Sequence, residues 1–164
     1  MIKQITPNIW QLSFKAFGSC VYFVKINNKN ILIDTSSKEA REELLSDLEE
    51  LKIKPEEIEI ILLTHDHYDH VENIEIFPNA KVLSKKETRK KFPEIQVINA
   101  PGHSQKDVCY LYRDTLFSGD VIFDKEHNYV GRTDLPESDE RKMQESLQRI
   151  KKLKYTKLCP GHII

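Results

Sequence analysis

Residues 64–70 read Thr-His-Asp-His-Tyr-Asp-His, and they follow directly on the apolar run 58–63. That run is short and rich in β-branched residues, which predicts a largely buried strand. The polar stretch then places three of the chain's six histidines and two further aspartates where the strand ends. Rigid scaffolds commonly present reactive groups on such loops. Because neutral imidazole and carboxylate suit zinc, iron and related divalent metals, the stretch predicts a metal site rather than a solvated loop.

The spacing of the ligand-type residues divides them into two groups. Side chains of an extended chain alternate between its two faces. His65, His67 and Asp69 are therefore expected to point to one side. His70 breaks the alternation and is predicted to open a helix.

Composition limits the classes of protein to which the chain can belong. Its 164 residues predict a single domain over residues 1–164, and 39% hydrophobic with 31% charged residues indicates a globular protein. A formal net charge of -1 gives no electrostatic case for nucleic acid or an anionic membrane. Neither a membrane-spanning run nor a signal-peptide pattern is seen, so a cytoplasmic location is expected.

The three cysteines are widely spaced, odd in number and without a Cys-x-x-Cys pair. This pattern favours neither a disulfide framework nor a thiolate zinc site. Cys20, Cys109 and Cys159 are therefore expected to be small buried apolar residues. Cys159 lies three residues before His162 and could be near the metal, but packing is the favoured interpretation.

Strands and helices are predicted to alternate along the chain. Apolar, β-rich segments predict strands at 9–12, 21–26, 31–33, 94–99, 107–112 and 115–118. Asn27 to Asn30 indicates a hairpin turn. Ser36 and Glu39 form a candidate capping box for a helix that ends near Leu51, and a second long helix is predicted from Ser138 or Asp139.

One pattern recurs four times: a strand ends, a turn residue appears, and a ligand-type side chain follows. It is found at residues 64–70, 101–103, 118–120 and 160–162. Glycine allows the tight turn. Five of the six histidines lie in these places, and only His127 lies outside them, where a loop histidine is the default interpretation. The basic segment Lys85 to Lys91 could contact an anionic substrate, but a solvated helix face is the favoured interpretation.

These motifs, in this order, resemble those of the metallo-β-lactamase superfamily. The resemblance rests on His65-x-His67-x-Asp69-His70, Pro101-Gly102-His103, Gly119-Asp120 and Gly161-His162. It implies an α/β fold of the α+β type, an αββα four-layer sandwich with the metal site at one edge. It also implies a set of ligands: His65, His67 and His103 for a first metal, Asp69, His70 and His162 for a second, and Asp120 between them.

Further features narrow the subgroup. The best-known β-lactamase subclass has cysteine where Asp120 stands, so β-lactam hydrolysis is disfavoured. Residues 131–136, Gly-Arg-Thr-Asp-Leu-Pro, are similar both to small glyoxalase II-like members and to persulfide dioxygenases. The sequence stops two residues after His162, where glyoxalase II enzymes continue into a helical extension, so a glyoxalase II-like member lacking that extension is expected.

The leading hypothesis is a hydrolase with two Zn²⁺ per chain. A metal-bound hydroxide would attack an ester or thioester of a small-molecule substrate. Asp69 would orient the nucleophile or take up a proton. Asp34 is a candidate carboxylate behind a ligating histidine, with helix capping as the alternative. Arg132 is a candidate for binding a substrate carboxylate or phosphate, with a surface ion pair as the alternative.

A second hypothesis is a persulfide dioxygenase with one Fe²⁺ held by His65, His103 and Asp120. Two histidines and one carboxylate leave open positions on iron that suit oxygen chemistry. These motifs determine neither the identity of the substrate nor the oligomeric state.

Overall fold

The computed structural model describes residues 1–163, and the chain divides into two compact units at residues 84 and 85. The first unit contains a six-stranded sheet in which the strands lie in chain order. Its strands are β1 (Ile2–Thr6), β2 (Ile9–Leu12), β3 (Val21–Ile26), β4 (Lys29–Ile33), β5 (Ile60–Leu62) and β6 (Lys81–Val82). β1 to β4 are antiparallel neighbours, whereas β5 and β6 run parallel to β4.

The hairpin between β3 and β4 forms as predicted. Ile26 pairs with Lys29, which leaves Asn27 and Asn28 as a two-residue loop. Both have positive φ, +52° and +60°, a conformation that asparagine tolerates and that suits the twist of a hairpin. β4 then pairs in parallel with β5, with Ile33 opposite Leu62, so the two strands end side by side.

Helices α1 (Arg41–Glu50) and α2 (Tyr68–Val71) belong to this unit, with short 3-10 segments at Lys38–Ala40, Pro55–Glu57 and Ile74–Ile76. The predicted cap at Ser36 is wrong. Ser37 caps the segment instead, since its side chain accepts from the Ala40 N–H, while Ser36 has a φ of +63° that is incompatible with the extended cap conformation. α2 also begins two residues earlier than the predicted start at His70.

The second unit contains a four-stranded sheet in the order β10-β9-β8-β7. Its elements are α3 (Lys85–Lys91), β7 (Ile95–Asn99), β8 (Val108–Tyr112), β9 (Thr115–Gly119), α4 (Glu140–Ile150) and β10 (Lys157–Pro160). Asp139 caps α4 by accepting from the Lys142 N–H, so the predicted start of this helix is confirmed. Met143 and Ile150 on one face of α4 are buried in the core of this unit.

Other predictions have mixed outcomes. The sequence interpretation did not identify β1 as a strand. The three cysteines are buried, as expected, and within residues 1–163 none of them forms a disulfide. Among the described residues 1–163, we find no helix with the length and apolar content needed to cross a bilayer. The single-domain assignment for residues 1–164 stays a prediction.

The turn between β8 and β9 anchors the start of β10. The Asp114 carbonyl accepts from the N–H groups of Thr156 and Lys157. The Asp114 carboxylate lies 2.6 Å from the Lys157 ammonium. This ion pair, together with a hydrogen bond from the Thr156 hydroxyl, lowers the pKa of Asp114 to about 2. β10 leads directly to His162, so the turn helps to position that histidine.

Replacing Lys157 with methionine is expected to return the pKa of Asp114 towards the ordinary value of about 3.9. The folded-state pKa of Asp114 is depressed, so its stabilising effect is present above the unfolded-state pKa and is lost as the pH falls towards 2. Carbon-13 NMR titration of the carboxyl groups measures the change. Lys152→Met, at an exposed position, is the control and should leave the Asp114 titration unaltered; an equal change in both variants contradicts the ion-pair explanation.

Candidate metal centre

Four ligand-type residues of the first unit lie together after β5, and we call them the N-terminal cluster: His65, His67, Asp69 and His70. β5 is buried throughout, so its end is a rigid base for the loop. His65, Asp69 and His70 are themselves buried. The rings of His65 and His70 have centroids 4.1 Å apart, and those of His65 and His67 are 4.5 Å apart.

The His65 and His67 rings face each other through two nitrogens. His65 Nε2 lies 3.1 Å from His67 Nδ1. Two nitrogen ligands at the usual zinc distance, at a tetrahedral angle, are separated by about 3.3 Å. The observed spacing therefore suits two ligands of one ion, which agrees with the predicted placement of these two histidines on a common side.

Asp34 lies directly behind this cluster, at the end of β4. It is 2% exposed and has a φ of +59°, which turns the chain so that its carboxylate faces the loop after β5. The carboxylate accepts from the Thr64 N–H at 2.8 Å and from the Thr64 hydroxyl at 2.7 Å. Its Oδ2 also lies 2.8 Å from His70 Nδ1. The ring N–H of His70 is thus at Nδ1, and the lone pair is at Nε2.

Thr64 extends the same arrangement to a second histidine, a role that sequence inspection missed. Its hydroxyl donates to Asp34, so it accepts from His65 Nδ1, which is 3.1 Å away. His65 is thereby held with its lone pair at Nε2, as His70 is. One buried carboxylate therefore sets the tautomer of two rings, directly for His70 and through a hydroxyl for His65.

The segment that carries Asp34 is tied to the helix that carries His70. The Thr35 N–H donates to the His70 carbonyl at 2.7 Å. The Asn73 amide donates to the carbonyls of Thr35 and Ser37 at 2.8 and 2.6 Å. Asn73 is fully buried, so these bonds hold the segment rigidly against α2.

The second unit carries three ligand-type residues, which we call the C-terminal cluster: His103, Asp120 and His162. They follow the ends of β7, β9 and β10. Asp120 Oδ2 lies 3.6 Å from His103 Nε2 and 3.4 Å from His162 Nε2. Gly119, with a φ of +51°, makes the turn that places Asp120 there, and the Gly161 N–H donates to the Gly119 carbonyl at 2.7 Å.

His103 is held by loops on both sides. Its Nδ1 lies 3.0 Å from the Arg132 carbonyl, which fixes the lone pair at Nε2. Its own carbonyl accepts from the Ser138 hydroxyl at 2.6 Å. In the same loop, the Asp107 carboxylate accepts from the N–H and hydroxyl of Ser104, both at 2.7 Å. Burial raises the pKa of Asp107, and these two bonds oppose that rise.

Gly131 permits a close approach between the loop and the cluster. A Cβ at this position would lie 1.9 Å from the Asp120 carbonyl oxygen and 3.0 Å from the His103 Cβ. The Asp120 carbonyl oxygen thus occupies the space that any side chain at residue 131 would need. A glycine here is required by contact with two of the three cluster residues.

Replacing Gly131 with alanine should lower the free energy of unfolding by about 3 kcal/mol, in the upper range for overpacking. It should also weaken metal binding, because His103 and Asp120 must move. Urea unfolding and metal titration measure the two effects. Asp134→Ala, at an exposed position in the same loop, should change stability by about 0.5 kcal/mol or less. Equal effects of the two substitutions would contradict the close approach.

Arg132 and His127 each contact a side chain outside the two clusters. The Arg132 guanidinium forms a bidentate ion pair with Asp134, both contacts at 2.9 Å, and is largely exposed. Binding of substrate by Arg132 stays a prediction, and the residue acts on His103 through its carbonyl. His127 Nε2 lies 2.9 Å from the Tyr155 hydroxyl, within the second unit.

The seven predicted ligands all offer atoms that could hold a metal ion. Histidine nitrogens and carboxylate oxygens are donors that zinc and iron accept, so the fold and the site define the class of metal-binding α/β proteins. The chain belongs to the metallo-β-lactamase superfamily, whose family model matches residues 15–95 and 87–162. The predicted family and the predicted α/β fold of the metallo-β-lactamase kind are thus confirmed.

Two sequence relatives agree with that class. A probable metallo-hydrolase of Methanocaldococcus jannaschii is 34% identical over 143 residues, which cover 80% of this chain and 70% of the relative. A hydroxyacylglutathione hydrolase of Pectobacterium atrosepticum is 30% identical over 174 residues. That match covers 94% of this chain but only 61% of the relative.

A solved structure shows the same fold. A protein crystallised in a di-iron-bound form matches with a TM-score of 0.71 at 23% identity. The match covers 99% of this chain and 91% of that one.

Proposed function

We propose that the chain is a dinuclear zinc hydrolase that cleaves a thioester or ester of a small molecule. One observation carries the proposal: the Nδ1 atoms of His65, His70 and His103 all face protein acceptors, namely Thr64, Asp34 and the Arg132 carbonyl. Ligating histidines characteristically donate their second ring nitrogen in this way. Three buried rings that all hold their lone pair at Nε2 are arranged for metal binding rather than for packing.

The proposed ligands would divide between two metals. His65, His67 and His103 would hold the first ion, and Asp69, His70 and His162 the second. Asp120 would be a ligand of both, which is supported by its short distances to His103 and His162, one histidine from each set. The 3.1 Å spacing of His65 and His67 nitrogens supports the first set.

The donor set fits zinc and also iron. It contains imidazole and carboxylate groups without a thiolate, a combination that both metals accept. The di-iron form of the structural relative keeps iron as a second candidate. Two Zn²⁺ per chain is the form that we propose, because hydrolysis needs a Lewis acid and no redox change.

Bound metals would lower the pKa of a coordinated water to about 7 and polarise the scissile carbonyl. The chain's own residues supply orientation and proton transfer. Asp69 is buried and its carbonyl accepts from the Ser19 N–H at 3.0 Å, which fixes its backbone. Its carboxylate, 4.0 Å from His70 Nε2, can therefore orient the attacking water and accept its proton.

A thioester is favoured by the hydroxyacylglutathione hydrolase relative, although this chain spans less than two thirds of that protein. A cytoplasmic location and a small-molecule partner stay predictions.

An activity assay tests the function. The zinc-loaded protein should hydrolyse a hydroxyacylglutathione or an aryl acetate, and removing the metal with a chelator should abolish the activity. Asp69→Asn should lower kcat by roughly 100-fold or more, as expected for loss of a proton acceptor. Glu72→Gln, outside the proposed ligands, is the control. Oxygen consumption with a persulfide, in a protein containing one iron, would overturn the proposal in favour of the dioxygenase alternative.

A further inference from the structure

Two exposed aromatic side chains lie side by side next to the N-terminal cluster. Phe17 is 53% exposed and Tyr68 is 58% exposed. Their ring centroids are 6.1 Å apart, with an angle of 30° between the ring planes. Single exposed apolar residues are ordinary, but a contiguous aromatic pair is characteristic of a binding surface. Tyr68 stands between His67 and Asp69 in the chain, so one ring of the pair belongs to the segment that carries two proposed metal ligands.

The loop that presents Phe17 is held in place. The N–H groups of Lys15 and Ala16 both donate to the Glu43 carboxylate at 2.9 Å, and these bonds lower the pKa of Glu43. The Phe17 carbonyl accepts from the Ser37 hydroxyl. The loop is therefore fixed on the side that precedes Phe17 and at Phe17 itself.

The loop is also joined to the segment that carries Tyr68. The Ser19 N–H donates to the Asp69 carbonyl at 3.0 Å. A Cβ on Gly18 would lie 2.2 Å from the Ser36 hydroxyl oxygen, so the backbone packs closely at that point. These contacts keep Phe17 beside Tyr68. An aromatic surface that is fixed in advance loses little conformational entropy when it binds a ligand.

We propose that Phe17 and Tyr68 form a platform that binds an apolar group of the substrate while its carbonyl lies at the metals. The inference rests on the proposed hydrolase function and specifies its substrate class: esters or thioesters with an alkyl or aryl group of several carbons. The rings offer a broad apolar face. Because Tyr68 is joined in the chain to two proposed metal ligands, His67 and Asp69, the proposal places that face near the scissile bond. The apolar group belongs to the acyl part or to the leaving part of the substrate.

Two series of substrates test the platform and distinguish these parts. One series lengthens the acyl chain from acetyl to octanoyl with a constant leaving group, and the other lengthens the alcohol or thiol of an acetate ester. The series that lengthens the part bound by the platform should show a rise in kcat/KM of the metal-loaded protein. The rise should be about twofold per methylene, because each methylene is buried on one side only. The double variant Phe17→Ala/Tyr68→Ala should remove most of this rise.

Matched variants separate the apolar surface from general damage. Phe17→Leu and Tyr68→Phe keep an apolar face and should keep most of the rise with chain length. Val82→Ala, at another exposed apolar position in the same unit, should keep all of it. A rise that is unchanged in the double alanine variant, or equal rates for short and long substrates in both series, would overturn the platform.

Calorimetry gives a measurement that does not depend on turnover. Octanoate or octanol should bind the metal-loaded protein at least tenfold more tightly than acetate or ethanol, respectively, and the double alanine variant should lose this difference. If octanoate or octanol binds in this way but no ester is hydrolysed, the platform is supported and the proposed hydrolase function is rejected. If light scattering instead shows a dimer that only the double variant dissociates, the pair is a contact between copies of the chain and the platform is rejected.

Discussion

Replacing Asp120 with asparagine is expected to lower kcat/KM by more than about 100-fold and to reduce the bound metal. Groups that merely support a ligand are worth about 10- to 100-fold in metal affinity or activity, so loss of a proposed bridging ligand should exceed that range. Asparagine has the shape of aspartate, and the turn at Gly119 is unaffected. The neutral amide, however, cannot supply the negative charge that two cations would share between His103 and His162.

Metal analysis and steady-state kinetics on the same preparation measure this effect. Asp134→Asn is the matched control, because that residue lies in the same unit and is exposed. The control should retain its metal and its rate. An Asp120→Asn protein with wild-type metal content and turnover would show that Asp120 is not a ligand.

Asp34→Asn should weaken metal binding by about 10- to 100-fold without unfolding the protein. Asparagine tolerates the positive φ of residue 34, whereas alanine would add backbone strain. Its amide nitrogen would face His70 Nδ1 and donate to it. The ring would then carry its hydrogen at Nε2, the atom that the proposed metal needs. The substitution therefore acts through the tautomer of His70 rather than through the fold.

Nitrogen-15 NMR of the histidine rings measures the tautomer directly, and metal titration measures the affinity. The expected spectrum has the His70 hydrogen at Nδ1 in the wild type and at Nε2 in the variant. Asp47→Asn, which removes only a carboxylate paired with the N-terminus, is the control. Unchanged metal affinity in Asp34→Asn, with the tautomer reversed, would contradict the proposed role of His70.

Local patterns in the sequence predict much of the fold. β2 and β3 have the predicted bounds, because short apolar, β-branched segments between turn residues have few alternative structures. β1 was missed because Ile2–Thr6 is short, partly exposed and mixes polar with apolar residues. The helix cap lies one residue later than predicted, because Ser36 has a positive φ, which no capping pattern in the sequence reveals.

Ligand-type residues of the candidate site are recognisable from the sequence, but their supports are not. The contact between Asp34 and His70 joins residues 36 apart, and the contact between His103 and the Arg132 carbonyl joins residues 29 apart. Such pairs depend on which strands are neighbours in a sheet. Every residue has a backbone carbonyl, so the sequence cannot indicate that the Arg132 carbonyl contacts His103. The sequence therefore predicts a role for the Arg132 side chain alone.

Metal content of the purified protein, measured by elemental analysis against protein concentration, tests the central proposal most directly. About two zinc ions per chain are expected for the wild type. His103→Ala, which removes one proposed ligand of the first metal, should lose at least one of them together with the hydrolytic activity. A wild-type protein without metal, or a His103→Ala protein with unchanged metal content and turnover, would contradict the dinuclear site.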